Sequence, residues 1–181
     1  MVELLVSVAI FIFMTALLVA KYGNFNSSVL LTDIAYDVAL TVRTAQTYGL
    51  GVTGTNSIFT YPYGVDFSTS NGTVLTLYSD TDSNFYYSSV DVPVSTYTLT
   101  RGAVVKDLCL DTVIPTSQRC GTDSTSVDVP ALDISFKRPD PTAHICAGAD
   151  CSYTYAQITI QGTDGSERLV TVQQNGEISV E

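Results

Sequence analysis

The sequence predicts an α+β fold: one long N-terminal helix, apolar all round in its first half and amphipathic in its second, packed on an antiparallel β-sheet head. Three observations carry this. Residues 4 to 20 contain no charge; residues 30 to 45 repeat apolar side chains at helical spacing; and beyond residue 51 the chain turns to short alternating runs rich in Thr, Val, Tyr and Ser. At 181 residues there is room for an anchoring element and one compact head. The division expected is residues 1–22 as a transmembrane helix, 23–50 as an amphipathic stem packed on the head, and 51–181 as a β-rich head.

The run Leu4 to Ala20 reads LLVSVAIFIFMTALLVA. At about 1.5 Å per residue it makes a helix of about 25 Å, just under the thickness of a bilayer's hydrocarbon core. A secretory signal peptide would place a basic region before the run and a small-residue cleavage site after it. Nothing basic precedes Leu4, and the run ends in Ala20-Lys21-Tyr22, with Lys21 and Tyr22 suited to the interface. Gly23, Asn24, Asn26, Ser27 and Ser28 are poor helix formers, so the helix is expected to soften or break there. Leu30, Leu31, Ile34, Ala35, Val38, Ala39, Val42 and Ala45 then form one stripe, with Asp33, Asp37, Arg43 and Gln46 on the other faces. Gly49 and Gly51 stand at plausible C-cap positions.

Glu3 is an ionisable group at the N-terminal edge of the apolar run. A lone carboxylate in hydrocarbon is unfavourable by about 2.5–3.5 kcal/mol on insertion scales. Either Glu3 sits in the headgroup region at a helix N-terminus, where negative charge is favoured, or it pairs with a positive group on another subunit.

In the head, strands are expected at Ile58 to Tyr61, Val65 to Ser68, Val74 to Tyr78, Val94 to Arg101 and Leu132 to Lys137. Two hairpins close the chain: Ala156 to Gln161, Asp164-Gly165, Arg168 to Gln173, Asn175-Gly176, then Glu177 to Val180. Asp-Gly and Asn-Gly between alternating runs are strong hairpin signals. Thr116 to Ser126 and Pro139 to Asp150 read as surface loops. The four cysteines allow three connectivities; nearest-in-sequence pairing, Cys109 with Cys120 and Cys146 with Cys151, is expected, in an oxidising compartment.

The net charge of -10 repels a phosphate backbone, and Lys137-Arg138 is the only adjacent basic pair, so nucleic acid is not an expected partner. Asp80, Asp82 and Asn84 repeat the first three ligand positions of an EF-hand loop, and Asp91 falls at the twelfth. Phe85 replaces the sharp-turn Gly, and Asp replaces the bidentate Glu. Calcium is a weak candidate here, a solvated acidic loop the stronger expectation, and no other cofactor is implied. No phosphate loop, dinucleotide fingerprint or His-Glu-x-x-His is present, and the single histidine, His144, reads as an exposed loop residue. An enzyme is not expected.

Val2-Glu3-Leu4-Leu5-Val6-Ser7-Val8-Ala9-Ile10 resembles the start of the helix in the type IV pilin and type II secretion pseudopilin family. In that family a short basic leader ends in Gly, a Phe-Thr-Leu-Val-Glu-like stretch follows, and a peptidase cuts after the Gly and methylates the new N-terminus. Ala35-Tyr36-Asp37-Val38-Ala39, Arg43 to Gly49, Tyr63-Gly64-Val65-Asp66-Phe67, and Val170-Thr171-Val172 with Gly176-Glu177-Ile178 are similar to the H-type minor pseudopilins and minor pilins. The leader, Gly, Phe and Thr do not precede Val2, so a start upstream of Met1, a truncated chain or an unprocessed copy is expected, without a peptidase site as written.

The resemblance implies a structural, minor subunit of a bacterial-surface pilus or a secretion pseudopilus. It would begin as a single-pass membrane protein and then join an extracytoplasmic filament. Glu3, Leu4, Leu5, Val8 and Phe11 would form the assembly surface, with Glu3 neutralising a neighbour's N-terminal amine. The partners would be copies of itself, other pilin or pseudopilin subunits, the inner-membrane assembly platform and membrane lipid. The alternative is a membrane-anchored adhesion or binding ectodomain that does not polymerise.

Overall fold

A computed structural model describes residues 2–51, 53–55, 57–112 and 127–181, apart from the side chains of residues 20–27, 127 and 128. Helix α1 runs unbroken over Val2–Leu50, so the softening expected at Gly23 to Ser28 does not interrupt it. Among the described residues eleven strands follow: β1 (Tyr63–Ser68), β2 (Val74–Ser79), β3 (Val92–Thr98), β4 (Val104–Asp111), β5 (Val127–Asp128), β6 (Ala131–Lys137), β7 (Asp140–Ala147), β8 (Asp150–Tyr153), β9 (Tyr155–Gln161), β10 (Glu167–Gln173) and β11 (Ile178–Val180). The architecture is α+β, a long N-terminal helix packed on antiparallel sheet.

The described residues of the head form two sheets where one was expected. One has six strands in the order β3-β2-β1-β6-β7-β8, and the other five, in the order β11-β10-β9-β4-β5. All their pairings are antiparallel. They converge where β8 passes into β9: Gln174 donates its N–H to Thr154 O at 2.8 Å, and Ala143 on β7 donates to Gln174 O at 2.8 Å.

The helical stripe is the seam. Leu31, Ile34, Ala35, Val38, Ala39, Val42 and Ala45 are buried in one cluster with Val65, Phe67, Leu132, Ile134 and Phe136 of the six-stranded sheet and Val170, Val172 and Ile178 of the other. Alternation supplies these positions. Val65 and Phe67 face the core while Asp66 between them faces away, as a period of two requires. Polar ties reinforce the seam: Arg43 Nη2 donates to Ile178 O at 3.2 Å and Gln46 Nε2 to Gly176 O at 3.2 Å. Arg168 on β10 donates from Nε to Thr32 Oγ1 and from Nη2 to Ser28 Oγ, both at 2.9 Å.

Gly49 does not act as a left-handed cap. A Cβ there would lie 2.3 Å from Phe136 O, so its smallness lets the last helical turn lie on β6, and Gly49 O accepts the Arg138 N–H at 3.1 Å. The Gly51 N–H closes the helix on Thr47 O at 2.9 Å. Both closing hairpins form, with Gly165 and Gly176 at φ 80 and 85 in their turns.

Three further expectations are corrected. Ile58 to Tyr61 is not a strand; Ile58 forms only an isolated bridge with Thr55. Pro139 to Asp150 is not a surface loop but β7 and its turn into β8, with Ala143, Ile145 and Cys146 buried. His144 is accordingly a half-buried strand residue. Cys146 and Cys151 are bonded, as expected, and close that turn. Cys109 is disulfide-bonded as well, while Cys120 and the stretch Thr116 to Ser126 lie outside the described residues.

Candidate functional site

Two features outside the core bear on function, the bare half of α1 and the acidic loop between β2 and β3. From Val2 to Val19 the helix is long and apolar enough to cross a membrane, and none of it is buried against the head. Its large apolar side chains, Phe11 and Leu18 among them, are exposed on every side. Among the described residues, the head offers this segment no cover. A surface this apolar is stable only in lipid or against other apolar helices.

Residues three, four and eight positions apart share a helical face. Glu3, Leu4, Ser7, Val8 and Phe11 accordingly line one shallow groove. The Ser7 hydroxyl donates to Glu3 O at 2.8 Å, a bond within the helix that leaves the carboxylate outside it. Four of the five expected assembly residues thus meet on one face, while Leu5 lies outside that groove and is 69% exposed. Among the described residues Glu3 has no ion-pair partner, and Val2 to Val19 supplies no cation of its own.

The acidic loop is folded back over the outer face of the six-stranded sheet. Asp80, Asp82 and Asp91 each bring a carboxylate oxygen within 4.8 Å of the others. Asp80 accepts the N–H of Asn84 at 3.2 Å and of Phe85 at 2.8 Å. Asp91 accepts the N–H of Thr81 at 2.8 Å and of Ser88 at 2.7 Å. Asn84, the fourth expected ligand, is turned aside: its Nδ2 donates to Asp82 Oδ2 at 2.8 Å and its Oδ1 accepts the Tyr86 N–H at 3.0 Å. Phe85 takes φ 72, the left-handed turn that the EF-hand pattern reserves for Gly. Its ring is stacked on His144 with centroids 3.9 Å apart. The three aspartates could hold a hard cation such as calcium through oxygen ligands.

Beneath the loop lies a group that sequence reading passed over. Asp133 on β6 accepts the Tyr87 N–H at 3.0 Å, and the Phe85 carbonyl accepts from the hydroxyls of Ser135 at 3.2 Å and Tyr78 at 3.4 Å. Burial, aided by the charge of Asp66, pushes the Asp133 carboxyl up to about 7. Burial likewise lifts Asp66 to about 6. Asp80 rises to about 6, again mainly through burial, against the lowering effect of the Phe85 N–H. Burial and the surrounding aspartates hold the Tyr78 phenol neutral, and burial lowers His144. The signal available in the sequence was a lone acid inside an alternating strand, as in Tyr63-Gly64-Val65-Asp66-Phe67 and Leu132-Asp133-Ile134.

No family model, curated protein or solved structure matches the chain.

Proposed function

We propose that this chain is a structural subunit, minor in kind, of a type IV pilin-like filament, either a pilus or a type II secretion pseudopilus. The observation that carries the reading is the division of one unbroken helix, with one stripe from Leu31 to Ala45 sealed into the head and Val2 to Val19 bare. The bare half is held first by membrane lipid and then by the same segments of neighbouring subunits, delivered by an inner-membrane assembly platform. Glu3 supplies register. In the dry centre of a helical bundle its carboxylate is tolerated only opposite a positive group such as a neighbour's N-terminal amine, so a misplaced subunit buries an unpaired charge.

The test is incorporation of full-length variants into filaments sheared from the cell surface, with the Cys146–Cys151 bond read in the same samples as a marker of a folded head. Glu3→Ala and the isosteric Glu3→Gln should both remain in the membrane with the disulfide formed. Assembly of both at the native level would overturn the pairing and favour an anchored ectodomain that does not polymerise.

A further inference from the structure

The chain contains two tripeptides of the form Asn-x-Ser/Thr in which x is not Pro, Asn26-Ser27-Ser28 and Asn71-Gly72-Thr73. This is the acceptor pattern for N-linked sugar, where the carboxamide nitrogen is the nucleophile and the hydroxyl two residues on is read by the transferase. A transferase must seat the tripeptide in its own site, so the segment has to be exposed and outside a helix. The two tripeptides differ in the second respect, and only the later one lies outside a helix.

Asn26-Ser27-Ser28 lies inside the unbroken α1, and the Ser28 hydroxyl is held by Arg168 Nη2 at 2.9 Å. Asn71-Gly72-Thr73 lies on the turn joining β1 to β2, with Asn71 and Thr73 exposed. The backbone of this turn is tied from behind: Val105 N–H donates to Gly72 O at 2.7 Å, Leu99 N–H to Thr73 O at 2.8 Å, and Val74 N–H to Asn71 O at 3.1 Å. A Cβ at Gly72 would lie 2.6 Å from Val105 O, so the middle residue has to be glycine for the turn to sit there. The side chains on either side are left facing outward. Thr73 Oγ1 donates to Asn71 Oδ1 at 3.4 Å, and Asn71 Nδ2 meets no acceptor among the described residues.

We propose that Asn71 is the acceptor of an N-linked glycan delivered from a polyprenyl-phosphate-linked or pyrophosphate-linked oligosaccharide, added on the outer side of the membrane. Asn71 Nδ2 forms the bond to the anomeric carbon of the first sugar. The bond from that carbon to the lipid phosphate oxygen breaks, and the lipid phosphate leaves with the electron pair. One amide proton passes to a base on the transferase, and no oxidation state changes. The bonded Cys146–Cys151 pair fits the same compartment. The inference rests on the reading that the helix over Val2 to Val19 places the head outside the cytoplasm.

The experiment is peptide mapping by mass spectrometry of the full chain taken from its own cell envelope, alongside Asn71→Gln, Thr73→Val and Asn26→Gln. The peptide bearing Asn71 should carry a mass increase equal to a whole number of sugar residues. Asn71→Gln and Thr73→Val should abolish it, and Asn26→Gln should leave it unchanged. Unmodified Asn71, or an increase of one mass unit from deamidation to Asp at the Asn-Gly step, would overturn the proposal. Protease digestion of cells from the same preparation, with the outer envelope opened and the inner membrane left sealed, separates the two failures. A head cleaved from outside with Asn71 bare sinks only the glycan, whereas a head protected behind the membrane sinks the placement itself.

Discussion

Asp66 on β1 and Asp133 on β6 are direct cross-strand partners, two carboxylates facing each other across one antiparallel rung beneath the acidic loop. Like charges directly opposite on a sheet destabilise it, and here burial adds to the effect. Both carboxyls are lifted, Asp133 to about 7 and Asp66 to about 6. A carboxyl whose folded value stands above its unfolded value binds more protons in the folded state between the two. Its contribution is therefore fully present below about pH 4 and is lost as pH rises through the folded value.

The first prediction follows from that sign. The head should lose stability from about pH 4 to about pH 7, with Asp133 accounting for roughly 2–4 kcal/mol. Burial lowers His144, which acts in the opposite direction, losing its contribution as pH falls through 6.5. Asp133→Asn isolates the carboxyl because its amide oxygen can still accept the Tyr87 N–H. In thermal unfolding of the detergent-solubilised chain, that variant should exceed the native protein at pH 8 and match it near pH 4. Parallel pH profiles for the two proteins would refute the charge argument.

The second prediction concerns Arg168, which joins β10 to the helix through Thr32 and Ser28. The planar guanidinium reaches two hydroxyls one helical turn apart, and the lysine ammonium is not shaped to bridge them. Arg168→Ala and Arg168→Lys should each destabilise the chain by about 1–2 kcal/mol. The local readout is amide exchange, which should quicken around Ser28 to Thr32 and stay slow over Val38 to Ala45. Unchanged exchange at Ser28 to Thr32 would show that Arg168 does not hold the helix there.

What the sequence shows and what it hides divides along local and non-local order. The helical stripe was legible because its period is carried within a few turns, and β1, β2, β6, β9 and β10 were legible by strict alternation. Strand β4 was missed for a physical reason. Its register shifts between Val105 and Asp107, so the buried positions Val105, Leu108 and Leu110 break the period of two. Pro139, Pro141 and His144 obscured β7, although it pairs along β6. The split into two sheets depends on pairings such as β4 with β9, which no local pattern records. At the acidic loop, spacing placed Asp80, Asp82 and Asp91 together, whereas the closeness of Asp66 to Asp133 came from the β1–β6 register alone.

The third prediction tests the bond between Cys146 and Cys151, five positions apart in sequence. Among the described residues strand β8 is the edge of its sheet and is paired only with β7, so the disulfide helps hold it there. Closing so short a loop stabilises by about 2 kcal/mol in the chain-entropy account. The double variant Cys146→Ala, Cys151→Ser keeps the buried position apolar and should lose about that much. Proteolysis near Gly148 to Tyr153 should quicken first. Cleavage elsewhere in the head before this turn would show that β8 does not depend on the bond.

The fourth prediction sets helix propensity against packing. In an exposed helix Gly→Ala stabilises by about 1 kcal/mol, so propensity alone favours Gly49→Ala. At Gly49, however, the added Cβ would sit 2.3 Å from Phe136 O and 3.0 Å from Phe136 Cβ, and a backbone carbonyl in a paired strand cannot swing aside like a side chain. The helix end or β6 must shift, at the expense of the bond from Arg138 N–H to Gly49 O. Overpacking of this kind destabilises by about 1–3 kcal/mol, which outweighs the propensity gain. Thr47→Ala, two residues earlier on an exposed face, should be neutral or slightly stabilising in the same thermal unfolding assay. If Gly49→Ala behaved like Thr47→Ala, the helix would not be seated on β6 as closely as the 2.3 Å approach requires.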